Sequence, residues 1–156
     1  MTISLSSLLR PETTLSRLGA SGQRAAIHEL VGLLIKASPQ LDPNELVLAI
    51  EKRERFYSTA TTLGLAFPFV ETEAVNEPII ALATSLTGVE FGSPQGELTH
   101  LFVALVIPAS RPKLSVQLLA RLTRLFQTYP DLKDILVSQE ESSSLFEKFV
   151  EVEADL

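Results

Sequence analysis

The chain has 156 residues, 46% of them apolar and 21% charged, with a formal net charge of −6. That length fits one domain with its own core, and the composition is that of a folded chain rather than a disordered one. The acidic balance argues against a nucleic-acid partner, and the lack of cysteine excludes disulfides, thiolate nucleophiles and Cys metal sites.

The start, MTISLSSLLR, has no basic region ahead of its apolar residues, so no signal peptide is expected. No apolar run approaches the ~20 residues of a membrane span, and direct membrane insertion is not expected. The absence of cysteine fits a reducing compartment, and the cytoplasm is the expected location.

Taken in order, the chain opens with a short mixed segment broken by Pro11, where Leu5, Leu8 and Leu9 can pack as a turn of helix. A first helix is predicted over 22–37, with Ser21 as N-cap and Ile27, Leu30, Val31 and Leu34 as its apolar stripe. Ser38-Pro39 ends it. Asp42-Pro43-Asn44-Glu45 is a strong start for a second helix, because Asp42 can cap, Pro43 suits the first position and Glu45 can reach back. Leu46, Val47 and Ile50 give this helix its buried side. Lys52, Arg53 and Arg55 gather at its C-terminal end, where positive charge is favourable.

A hydroxyl-rich loop, Ser58-Thr59-Ala60-Thr61-Thr62, leads into an apolar strand over 63–68 that stops at Pro68. A second strand is predicted over 78–86, then a glycine-rich loop over 88–96. Residues 98–107 form the clearest strand, apolar on both faces and therefore central and covered on both sides. Helices follow over 114–128, over 130–137 and over 142–150. The tail EVEADL is expected to be frayed. Helices alternating with buried strands predict an α/β fold, a single domain over 1–156 with a mixed β-sheet flanked by helices on both sides.

Chemistry-bearing residues are few. His28 and His100 are the only histidines, and they show neither ligand spacing nor an acidic cluster beside them. No metal and no cofactor is expected. The hydroxyl cluster has no His or Asp at motif distance to act as its base, and there is no nucleophile elbow or phosphate-binding loop. Glu140-Glu141 and the acidic tail read as solvated surface.

The stretch from Arg53 to Phe69 resembles the phosphorylation-site motif of the mannitol/fructose (type 2) and nitrogen-regulatory enzyme IIA domains of the bacterial phosphotransferase system. Arg53, Glu54, Ser58, Thr59, Gly64, Ala66 and Pro68 match that motif in register. Its last position, the phosphorylated histidine of the family, holds Phe69. A second family histidine, thought to support the first, opens a later helix. Ser115-Val116-Gln117-Leu118-Leu119-Ala120-Arg121-Leu122 is similar to that pattern, with Ser115 in the histidine's place. Tyr57, Ala60 and Thr62 stand where family loops often carry glycine, which lets backbone approach a phosphate. The opening LSSLLRPE, the loop Val89-Glu90-Phe91-Gly92-Ser93-Pro94-Gln95-Gly96 and the strand end Val106-Ile107-Pro108 are also similar to the family in place.

The resemblance implies the family fold. It also implies a degenerate member, unable to carry phosphate on histidine, that acts as a regulatory or protein-interaction module. The expected contact residues are Arg53, Ser58, Thr59, Phe69 and Ser115. The expected partner is a transporter, a kinase or another regulatory protein, with an HPr-like phosphocarrier and a second copy of the chain as further candidates. Two other readings stay open. One is an active phosphoryl carrier using another acceptor, His28, His100 or a hydroxyl. The other is an anion or small-ligand sensor built on Arg53 and the hydroxyl loop. Phe69 itself reads either as ordinary core or as a plug in the old cleft.

Overall fold

In the computed structural model, which describes residues 3–156, a five-stranded mixed sheet lies between two helical layers. The strands are β1 (Thr14–Leu15), β2 (Leu65–Ala66), β3 (Phe69–Thr72), β4 (Ile79–Val89) and β5 (Thr99–Pro108). The helices are α1 (Gln23–Ala37), α2 (Pro43–Phe56), α3 (Leu114–Thr128), α4 (Leu132–Val137) and α5 (Ser142–Glu153). None is long and apolar enough to cross a membrane.

β4 and β5 pair antiparallel in the middle of the sheet, with Ala81 opposite Ala104. β1 adds parallel to β4, while β2 and β3 add parallel to the other side of β5. Alternation along β5 divides the core in two. Phe102, Ala104 and Val106 meet α1 and α2, together with Ala81, Ala83 and the α1 stripe of Ile27, Leu30, Val31 and Leu34. Leu101, Val103, Leu105 and Ile107 meet α3, α4, α5 and the N-terminal Leu5 and Leu9. With both faces covered, β5 is apolar from Leu101 to Pro108, as its composition predicts.

Helix α2 starts as its sequence dictates. The Asp42 carboxylate accepts from the amides of Asn44 and Glu45 at 2.9 and 3.4 Å, and Pro43 takes the first turn. Helix α1 departs from expectation. Its N-cap is Gly22 rather than Ser21, and the Ser21 carbonyl instead accepts from the Glu90 amide.

Two further differences bear on function. The strand through 63–68 does not end at Pro68. It is interrupted there and resumes as β3, because the Pro68 carbonyl still accepts from the Leu105 amide at 2.9 Å. Proline lacks a donor, not an acceptor, so an edge strand tolerates it. The tail, expected to fray, is anchored instead. Glu153 is completely buried. Its carboxylate accepts from Arg121 Nε at 2.6 Å, the Ser6 amide at 2.9 Å, the Ser4 hydroxyl at 3.1 Å and the Leu5 amide at 3.3 Å. One carboxylate thus ties both chain ends to α3.

Candidate functional site

The C-terminal end of α2, the hydroxyl loop, the β2–β3 junction and α3 enclose an open cleft of about 620 Å³. Arg53, Tyr57, Ser58, Thr59, Phe67 and Phe69 contribute to its walls, with Leu119 and Thr123 from α3. Four of the five residues expected from the sequence therefore share one cleft. Ser115 does not line it. Helix α3 is turned by Leu114, Leu118, Leu122 and Leu125, which bury against the sheet. That rotation buries Ser115, whose hydroxyl donates to the Pro112 carbonyl at 3.4 Å. Leu119 and Thr123, one and two turns further along, supply the α3 wall instead. They follow Ser115 at i+4 and i+8, a spacing that could have pointed to them.

Phe69 is buried in the sheet-side core and also forms cleft wall. Its ring lies under Arg53, with the guanidinium carbon 4.0 Å from the ring centroid. Among the described residues, no carboxylate pairs with Arg53. This stack gives an exposed guanidinium a fixed position through the attraction of a cation to a ring face. Arg53 therefore does more than complement the helix terminus. Phe67, two residues earlier and on the same side of the chain, stacks on Phe126 of α3 with centroids 6.0 Å apart.

Beneath the hydroxyl loop sits Glu54, only 4% exposed. One carboxylate oxygen accepts from the Thr59 amide at 2.9 Å and from the Ser58 hydroxyl at 3.3 Å. The Ser58 oxygen accepts from the Ala60 amide at 3.1 Å and also lies 3.0 Å from the Phe91 carbonyl. Burial raises the Glu54 carboxyl above its ordinary value, partly opposed by the hydrogen bonds from the Thr59 amide and the Ser58 hydroxyl and by the charge of Arg53. Its other oxygen and the Thr59 hydroxyl are both buried without a partner. A proton on that oxygen lets the carboxyl donate where the ionised form cannot. Glu54 matches the sequence motif, yet its position as the floor of the loop emerges only with the fold.

Gly92 closes the site from the opposite loop. Its φ of 92° lies in the left-handed region, and a Cβ there would come within 3.1 Å of the Ser58 oxygen. Conformation and space both require glycine at this point. The two histidines stand apart from the cleft walls. His28 is exposed on α1, and the half-buried His100 places Nδ1 2.9 Å from the Ser85 carbonyl. Among the described residues, no group of three His, Cys, Asp or Glu could hold a metal ion.

Residues 7–149 match the family model of the phosphoenolpyruvate-dependent sugar phosphotransferase system, EIIA 2. The chain belongs to the EIIA 2 family. The fructose-specific EIIA component of Haloferax volcanii is 25% identical over 130 residues, covering 83% of this chain and 84% of that protein. The crystal structure of nitrogen regulatory protein IIA-Ntr from Neisseria meningitidis superimposes with a TM-score of 0.81 at 18% identity, covering 92% of this chain and 97% of that one. The mannitol enzyme IIA of Escherichia coli, solved in complex with phosphorylated mannitol enzyme IIB, gives a TM-score of 0.77 at 20% identity over 95% of this chain and 98% of that one. The EIIA fold expected from the motif is therefore the fold observed, a mixed sheet with helices on both faces.

Proposed function

We propose that this chain is an EIIA-type regulatory or protein-interaction domain that carries no phosphoryl group on histidine. Phe69 carries the reading. In the motif that the stretch from Arg53 resembles, the phosphorylated histidine directly follows the proline, here Pro68. Phosphoryl transfer to a side chain needs a lone pair, and a phenyl ring has none. Burial of Ser115 and the stacking of Arg53 on Phe69 support the same reading. A hydroxyl bonded to a carbonyl neither carries positive charge nor replaces an imidazole.

The cleft then serves as a contact surface. Its apolar walls, Phe67, Phe69 and Leu119, suit the centre of a protein interface, with Arg53 as an anchor. Tyr57 on the wall is 74% exposed and its neighbour Phe56 is 91% exposed. Because the mannitol relative is solved with a phosphorylated IIB, a IIB-type or other transporter component is the partner to test first. An HPr-like phosphocarrier and a further regulatory protein come next, in the cytoplasm. Arg53, Ser58, Thr59 and Phe69 would make the contact, and Ser115 would act only through the helix beneath it.

The test is phosphotransfer from phosphoenolpyruvate through enzyme I and HPr into the native chain and into a Phe69→His, Ser115→His variant. The expected result is an acid-labile phosphoryl group on the variant alone. Labelling of His28 or His100 in the native chain would replace this reading with that of an active carrier.

A further inference from the structure

Next to the cleft, and sharing Thr61, Phe67 and Thr123 with it, lies a second pocket of about 500 Å³. We propose that this pocket binds a small carboxylate with a flat apolar body, the carboxylate on Lys133 and the body against Phe67 and Phe126. The inference goes beyond the interaction role proposed above and does not depend on it.

The walls provide the apolar half. Leu63, Leu65 and Pro130 line the pocket beside Phe67 and Phe126, and the two rings stack at an interplanar angle of 29°. A planar hydrocarbon can extend that stack. The volume falls within the range of about 300–1,000 Å³ usual for small-molecule sites, which pair apolar walls with few polar groups.

The polar half is Lys133 and Thr61. The Lys133 side chain is 28% exposed and lies across the backbone of Gly64. Its Nζ is 3.5 Å from where a Gly64 Cβ would stand, an ordinary van der Waals distance that sets the ammonium close against this turn. Its carboxylate neighbour, Asp134 at 3.4 Å, is 80% exposed. An ion pair in water is weak, and a ligand carboxylate on the drier side of the ammonium can compete with it. The Thr61 oxygen accepts from the amides of Leu63 and Leu65 at 3.2 and 3.3 Å. Its hydroxyl proton has no acceptor among the described residues and is free to donate to the same carboxylate. Thr123 is already committed, donating to the Leu119 carbonyl at 2.9 Å.

The experiment is a titration of the native chain with 2-naphthoate, followed by amide chemical shifts. 2-Naphthylmethanol and acetate are controls for charge and for the ring. The expected result is saturable binding with shifts at Leu63, Gly64, Leu65, Phe67 and Lys133, at least tenfold tighter for naphthoate than for either control. Lys133→Met, which keeps the stem and removes the charge, should weaken naphthoate at least tenfold. Thr123→Trp, on an exposed position at the rim, should block it while the melting temperature stays unchanged. Equal affinity for the acid and the alcohol, unchanged affinity in Lys133→Met, or shifts confined to Arg53 and Phe69 would each overturn the proposal.

Discussion

The guanidinium of Arg53 and the ring of Phe69 are stacked 4.0 Å apart, joining the end of α2 to the start of β3 across the mouth of the cleft. Ring and cation come from the two ends of the motif that marks the family. Replacing Phe69 by leucine keeps the apolar volume and removes the stack. Phe69→Leu and Arg53→Met should each lower stability, and a double-mutant cycle by urea unfolding should give a coupling of about 0.5–1 kcal/mol, the usual size of an exposed cation–ring contact. Additive effects would mean that the stack contributes nothing beyond packing.

Glu54 sets a pH dependence of its own. Its carboxyl is raised in the folded chain, chiefly by burial. The folded state therefore holds that proton more tightly than the unfolded state does. Stability from this group is complete below the unfolded value of about 4.3 and is lost as pH rises through the folded value. Glu54→Gln keeps the shape and cannot ionise. Its melting temperature should exceed that of the native chain at pH 8, and the gain should vanish at pH 4. A gain of equal size at both would show that the charge is not what matters.

Glu153 titrates with the opposite sign. Burial opposes its charge, but the hydroxyl and amide of Ser6, the Arg121 guanidinium and the Leu5 amide outweigh burial and hold the carboxyl below its ordinary value. Stability from this group is present above the unfolded value and is lost as pH falls through the folded one. Glu153→Ala leaves Arg121 without its buried partner and should cost about 3–5 kcal/mol at neutral pH. The difference from the native chain should shrink as the buffer is taken below about pH 4. Differential scanning calorimetry across that range reads both effects.

Most of the fold was legible in the chain because its elements announce themselves locally. Asp42 and Pro43 mark the start of α2, the leucines of α3 repeat at helical spacing, and the unbroken apolar run of β5 requires cover on both faces. The site was legible in part, for the same reason. Arg53, Ser58, Thr59 and Phe69 sit close together in one continuous stretch. What escaped depends on partners far away in sequence. Glu153 looks like any acidic tail residue until Ser6 and Arg121 are brought to it. Ser115 looks like a cleft residue until the packing of Leu118 and Leu122 fixes how α3 is rotated. Leu119 and Thr123 come to the cleft by the same rotation.

The central claim is that Phe69 leaves this EIIA domain without a phosphoryl acceptor. The most direct test is the intact mass of the native chain after incubation with phosphoenolpyruvate, enzyme I and HPr, read before and after mild acid. The expected spectrum is that of the unmodified chain in both cases. A mass gain of one phosphoryl group that disappears on acid treatment would contradict the account and move the chemistry to His28 or His100.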